Sequence, residues 1–180
     1  MPGSVADRLA EFFILARRFE GCRLTPYLCP AGVWTCGWGS TGPDVFPGRP
    51  WTQEYADKRL ADDAVRFAAG TLAACPELAG EPDARLSAIT DFSYNLGLGR
   101  LRGSTLRKRV NARAWDLAAQ ELRKWVRAGG RVLPGLVARR AAEAVLLTPL
   151  LSLVPRRGLE PPRLAALVPE TREEFSSGAA

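Results

Sequence analysis

Histidine is absent from this 180-residue chain. That excludes a Ser-His-Asp triad, a Cys-His nucleophile pair and any zinc site built on imidazole. The four cysteines, Cys22, Cys29, Cys36 and Cys75, include no CxxC pair, which argues against a zinc site made of four thiolates. They are also too few to staple a chain of this length into a disulfide scaffold, although a single bridge stays open. No apolar run is long enough to cross a bilayer: the best stretch, 144–154, is short and holds Pro149. The opening MPGSVADRLAEFFILARR has acids before its short apolar cluster and arginines behind it, unlike a secretory signal. The expectation is a protein made in the cytosol, with no stable membrane insertion. Carboxylate chemistry, a cysteine acting without histidine, or no chemistry at all are what remain.

The length suits one domain, with an apolar fraction of 47% that can build a core. The net charge of +6 favours an anionic partner. The Lys and Arg residues are not interleaved with aromatics in one block, so no nucleic-acid partner is expected.

Residues 5–20 read as an amphipathic helix, with Val5, Leu9, Phe12, Phe13 and Ala16 on one face and Gly21 as its terminator. From Arg23 to Gly42 the pattern changes to strand formers around a Pro30-Ala31-Gly32 turn, which predicts two or three short strands. Thr52 caps a helix that runs to about Ala74. Residues 83–96, 105–110, 112–128 and 136–147 read as helices, joined by the glycine-rich connectors 97–103 and 128–135. The fold class is therefore α+β, a small N-terminal sheet lobe and a larger helical lobe over residues 1–147. Residues 148–180 hold five prolines and no sustained period, and read as a disordered appendage.

One stretch concentrates turn formers and aromatics behind a lone acid: FEGCRLTPYLCPAGVWTCGWGSTG, residues 19–42. Glu20 falls at the C-terminal end of the first helix. The helix dipole disfavours a second negative charge there, and burial against the sheet lobe adds a desolvation effect of the same sign. Both favour a carboxyl that holds its proton near neutral pH, as a general acid must. A lone helix-end glutamate is otherwise a solvated surface residue.

The spacing Glu20, eight residues, Cys29, five residues, Thr35 resembles the Glu–x8–Asp/Cys–x5–Thr triad of the phage-type, T4-like lysozymes of glycoside hydrolase family 24. DFSYNLG at 91–97, GSTL at 103–106, KWVRAGG at 124–130 and LPGLVARRAAE at 133–143 are similar to later landmarks of that family, so the resemblance covers roughly residues 10–147. It implies a lysozyme-like fold and hydrolysis of the β-1,4 bond between N-acetylmuramic acid and N-acetylglucosamine in peptidoglycan, with no cofactor and no metal. Glu20 is then the general acid, and Thr35 helps hold the attacking water. Cys29 stands where many members carry aspartate. A thiol with an ordinary pKa of about 8.5 is mostly neutral at pH 7 and a poorer base, so a thiolate base, a nucleophile and a polar spacer all stay open for it. Tyr94, Asn95, Ser104 and Thr105 become candidates for sugar contact. Arg139 or Arg140 becomes the arginine that pairs with Glu20, against the plainer reading of a surface pair. The resemblance further implies a monomer released from the host cytoplasm to the periplasm and cell wall by a separate holin.

Two other classes compete. A non-catalytic glycan-binding relative, or a degraded prophage remnant, accords with the missing aspartate and the unmatched tail. A cationic membrane-disrupting segment accords with RKRVNAR at 107–113 and the helix after it, although such helices inside a domain usually pack in a core.

Overall fold

The structure, a computed structural model, describes residues 5–29 and 32–148. The proline-rich segment, Thr148 apart, lies outside the described residues, as do Pro30 and Ala31 of the expected hairpin turn.

The first helix is interrupted once. A 3-10 turn, Val5–Arg8, leads into α1, Ala10–Glu20, and Leu9 between them leaves helical geometry. Arg8 explains the break. Its guanidinium reaches across to Asp83 Oδ1 at 2.5 Å and to the Glu81 carbonyl at 2.9 Å, pinning the turn to the start of a later helix. Leu9, Phe12, Leu15 and Ala16 form the buried stripe of this segment.

After Gly21 the chain enters a three-stranded antiparallel sheet in the order β1 (Arg23–Leu28), β2 (Trp34–Gly37), β3 (Ser40–Thr41). Tyr27 pairs with Thr35, and Thr35 with Thr41. The sheet closes over a small cluster of Cys36, Val45, Trp51 and Ala56, to which Cys22 and Trp34 add partly buried surface.

The helical lobe follows. Thr52 caps α2 (Gln53–Ala74) by accepting the Tyr55 N–H at 3.1 Å, as its residue type predicts. Gly70 in mid-helix has a steric reason: a Cβ there would lie 2.4 Å from Leu98 Cδ1, so glycine lets α4 (Leu98–Arg102) close onto α2. The central helix is α3 (Asp83–Leu96), packed by α1, α2 and α7 (Pro134–Leu147). Pro134 stands in the first turn of α7, where its missing N–H costs no helical bond. Phe12, Leu60, Ile89, Phe92, Leu101 and Leu122 are fully buried in the shared core.

The helix expected over 112–128 is much shorter. Ala112 caps α5 (Thr105–Asn111), Arg113 adopts φ 53°, and α6 spans only Trp115–Leu122. The connector expected after it is a hairpin, β4 (Arg127–Ala128) paired with β5 (Arg131–Val132). Gly129 and Gly130 take φ 56° and 76°, the two positive values that a tight two-residue hairpin requires. The architecture is α+β, seven α-helices and a small antiparallel sheet lobe among the described residues. No helix among them is long and apolar enough to cross a membrane.

Candidate functional site

Glu20 is the last residue of α1, and Gly21 at φ 66° turns the chain away at once. The carboxyl is left between the two lobes with 22% of the side chain exposed. Oε1 accepts from Arg139 Nη1 at 2.5 Å. Oε2 lies beneath the turn between β2 and β3, where a Cβ on Gly39 would come within 3.0 Å of it. Gly39 adopts φ 91°, so both conformation and space call for glycine.

Behind Glu20 lies a charged layer inside the core. The buried residues of α7 are Arg139, Arg140, Glu143, Ala144 and Leu147, so its inward face carries three charged side chains. Arg139 binds Asp91 through both forks: Nε to Oδ2 and Nη2 to Oδ1, each at 2.8 Å. Such bidentate pairing fixes the guanidinium plane. Burial works against the Arg139 charge, but Asp91 and then Glu20 outweigh it and hold the group more firmly protonated than usual. Arg140 donates to Glu143 Oε1 at 2.6 Å and to Asn95 Oδ1 at 3.1 Å, and lies over the Phe92 ring. Glu143 Oε2, Arg140 Nε and Arg140 Nη1 find no hydrogen-bond partner among the described residues.

Three carboxyls and two guanidiniums share this nearly dry space. Burial, reinforced by the charge of Asp91 and a hydrogen bond to it, pushes the Glu143 carboxyl well above the ordinary range against the pull of Arg140. Arginine is the last side chain to give up a proton, so Arg140 stays charged although burial pulls its pKa down.

The sheet lobe supplies the facing wall. Thr35 is 5% exposed and donates its hydroxyl to the Val33 carbonyl at 3.1 Å. Its cross-strand partner is Tyr27. Cys29 is half-buried just beyond β1, with its N–H on the Val33 carbonyl at 3.0 Å. Direct pairing puts Tyr27 and Thr35 on one face of the hairpin, and Cys29 follows two residues after Tyr27, past the end of β1. The Tyr27 hydroxyl has its pKa raised first by burial, lowered by Arg23, then raised by the charges of Glu20 and Cys29. Tyr27 thus lies within electrostatic reach of Glu20 and Cys29, and the Arg23 guanidinium covers its ring at 4.7 Å.

The other sequence candidates are placed as follows. Tyr94 is engaged in packing: its ring meets Phe12 and Phe67 edge-on, and its hydroxyl donates to the Trp38 carbonyl at 2.7 Å, which steadies the turn that carries Gly39. Asn95 accepts from Arg140. Ser104 caps α5, accepting from the Arg107 N–H at 3.0 Å, and is 5% exposed. Thr105 is exposed at the start of that helix. Of the two arginines, Arg139 reaches Glu20; neither is a surface residue, at 2% and 0% exposure. Cys22 and Cys36 are free thiols, and Cys36 points at the Arg23 and Leu24 carbonyls rather than at another sulfur.

Tyr27, Gly39, Asp91 and Glu143 are constituents that sequence reasoning did not single out. Asp91 alone left a signal, an acid set among the apolar residues of a helix whose neighbours Phe92 and Ile89 point inward. A concavity of about 400 Å³ between α1 and α2, lined by Phe13, Ile14, Arg17 and Asp57, does not include Glu20 or Thr35. Among the described residues no group of three or more His, Cys, Asp or Glu is placed to hold a metal ion.

Residues 17–143, from just before Glu20 to Glu143, match the family model described as phage lysozyme. The chain is 37% identical over 134 residues to an endolysin of Bacillus phage B103, covering 73% of this chain and 50% of that protein, so the match spans about half the length of that relative. It is 37% identical over 139 residues to an endolysin of Acyrthosiphon pisum secondary endosymbiont phage 1, covering 74% of this chain and 92% of that protein. The muramidase domain of SpmX from Asticaccaulis excentricus superposes with a TM-score of 0.68 at 28% identity, over 78% of this chain and 97% of that domain. The fold is lysozyme-like.

Proposed function

This chain belongs to the phage lysozyme family, and on that premise we propose that it is an endolysin of the muramidase type, hydrolysing the β-1,4 bonds between N-acetylmuramic acid and N-acetylglucosamine in bacterial peptidoglycan. Within the family we assign it to the T4-like branch of glycoside hydrolase family 24. The observation that carries this reading is the setting of Glu20, a partly exposed carboxyl held by Arg139 and within electrostatic reach of Tyr27, whose cross-strand partner is Thr35.

The proposed chemistry follows from that setting. Glycoside cleavage needs an acid to protonate the leaving oxygen and a group on the opposite face of the sugar to bring water or a nucleophile. Glu20 takes the first role, since it is the carboxyl at the mouth between the lobes. Arg139 holds Oε1, so the proton to be given is carried on Oε2, on the side of the β2–β3 turn. Thr35 helps hold the water; its hydroxyl already has the Val33 carbonyl as acceptor, so its lone pairs remain for the water's protons. Cys29, two residues after Tyr27, takes the place of a second carboxylate. The catalytic unit is the body that ends near residue 147, acting as a monomer on the wall after a separate holin releases it from the host cytoplasm.

Reducing-end release from purified peptidoglycan by wild type and Glu20→Gln tests the reading. Wild type is expected to release ends, and Glu20→Gln to lose about 10³-fold while keeping its melting temperature within a few degrees. Equal release by both proteins would remove Glu20 from the chemistry, and release by neither would point to a glycan-binding relative.

A further inference from the structure

Charge is distributed unevenly along this chain. Residues 97–133 hold ten of the 25 Lys and Arg but two of the 19 Asp and Glu, so this segment carries +8 and the remainder −2. In space it is one continuous region: α4 packs on α5, α5 on α6, and α6 runs on into the β4–β5 hairpin. The inward faces of its helices are apolar, with Leu101, Leu106, Val110, Ala118 and Leu122 all buried. The cations are thereby turned outward. Arg100, Arg102, Lys108, Arg109, Arg123 and Arg131 are exposed and form no ion pair with any described residue.

The composition of the face selects its ligand. Eight of the ten cations are arginine, whose planar fork binds phosphate oxygens in pairs and is less strongly hydrated than an ammonium group. A lipid surface finds nothing to take up on α4 and α5, which expose no large apolar side chain; Leu117 on α6 and Val132 and Leu133 at the hairpin are the exposed ones of the segment, so vesicle binding is an arm of the test. A single-stranded nucleic acid fits poorly too, because binding it needs aromatic platforms for the bases. The two tryptophans of the segment are engaged elsewhere, Trp115 under the Arg85 guanidinium at 4.0 Å and Trp125 edge-on to Phe92 at 5.4 Å.

We propose that the outer face of α4, α5, α6 and the β4–β5 hairpin docks a phosphodiester-linked anionic polymer carried on the wall glycan, a second contact that keeps the enzyme on the wall between cleavages. This rests on peptidoglycan being the substrate of the Glu20 site. The docking face contains neither Glu20 nor the Tyr27–Thr35 hairpin, so binding and cleavage are separable.

The test is cosedimentation of the full chain with walls carrying poly(glycerol phosphate) and with the same walls stripped by hydrofluoric acid, beside the variant Arg100→Gln/Arg102→Gln/Lys108→Gln/Arg109→Gln. Wild type is expected to bind intact walls at low salt, and to bind at least about tenfold more weakly to stripped walls, at high salt, and as the variant. Free poly(glycerol phosphate) is expected to compete wild type off intact walls, a measurement that needs no folded variant. Equal binding to intact and stripped walls overturns the proposal. So does failure of the free polymer to compete, or tighter binding to anionic phospholipid vesicles or duplex oligonucleotide than to the polymer. Reducing-end release from stripped glycan, run in parallel, is expected to be the same for variant and wild type. Polymer binding without any release would sink the hydrolase reading alone.

Discussion

Glu20 and Arg139 stand 119 positions apart in the chain and 2.5 Å apart in space. Arg139 is itself locked by the two oxygens of Asp91, so the placement of the exposed carboxyl on α1 is decided by a buried pair between α3 and α7. Asp91→Asn removes the charge that holds the guanidinium and leaves Arg139 buried with only Glu20 as a strong partner. The expected result is a loss of about 3 kcal/mol in urea unfolding, together with a fall in kcat at little changed KM. A variant as stable as wild type would show that Glu20 alone keeps Arg139 in place.

Gly39→Ala tests the opposite side of the same carboxyl. The added methyl would stand 3.0 Å from Glu20 Oε2, on a backbone at φ 91° that side chains rarely adopt. Strain alone costs about 1–2 kcal/mol. Displacement of the carboxyl is expected to cost more, on the order of 10²-fold in kcat. The ratio of the two effects is the readout: activity that falls no further than stability predicts would mean the turn, not the carboxyl, absorbs the methyl.

The buried Glu143 makes stability depend on pH. Its folded-state pKa is raised, first by burial and then by Asp91. The unfolded chain releases this proton above about pH 4.3, and the folded protein holds it to a higher pH. The stabilisation tied to this proton is present in full below that pH and is lost as pH rises toward the folded value. Glu143→Gln keeps an oxygen for Arg140 and has no proton to lose. Its stability relative to wild type is expected to improve steadily from pH 4 to pH 7. Urea melts across that range check it, and a gap that does not change with pH would mean Glu143 is ionised in the fold.

Cys29 is best examined by paired substitutions. Cys29→Asp is expected to keep reducing-end release, and Cys29→Ala to lose about 10²-fold or more, if the position brings in water or a nucleophile. Full activity in Cys29→Ala would reduce the residue to packing.

The other thiols should be quiet. Cys75 is buried, and that burial pushes its pKa up to about 11, while Cys36 is also buried and raised for the same reason. Neither is expected to react with iodoacetamide at about pH 8 in the native protein, since only the thiolate reacts. Peptide mapping after alkylation would reveal it if either did.

Much of this molecule was written locally. The Thr52 cap and the apolar period behind it placed α2, and the strand formers after Gly21 placed the hairpin, because caps, turns and periodicity report on neighbours within one or two turns of chain. Glu20 at a helix end was legible for the same reason. The reading failed where local rules assume an ordinary surface. The two arginines of α7 were open between a partner for Glu20 and a surface pair; both are buried, and Glu143 beside them, which no local signal marked, shares that buried face. Gly129 and Gly130 looked like a connector and turn a hairpin. Sequence by itself determined the elements and a carboxyl at the end of one of them. Only the tertiary structure decided which arginine meets that carboxyl, which aspartate aims the arginine, and which glycine makes room. Those choices depend on how α1, α3, α7 and the β2–β3 turn close on one another, and partners that far beyond one or two turns of chain leave no period in a sequence.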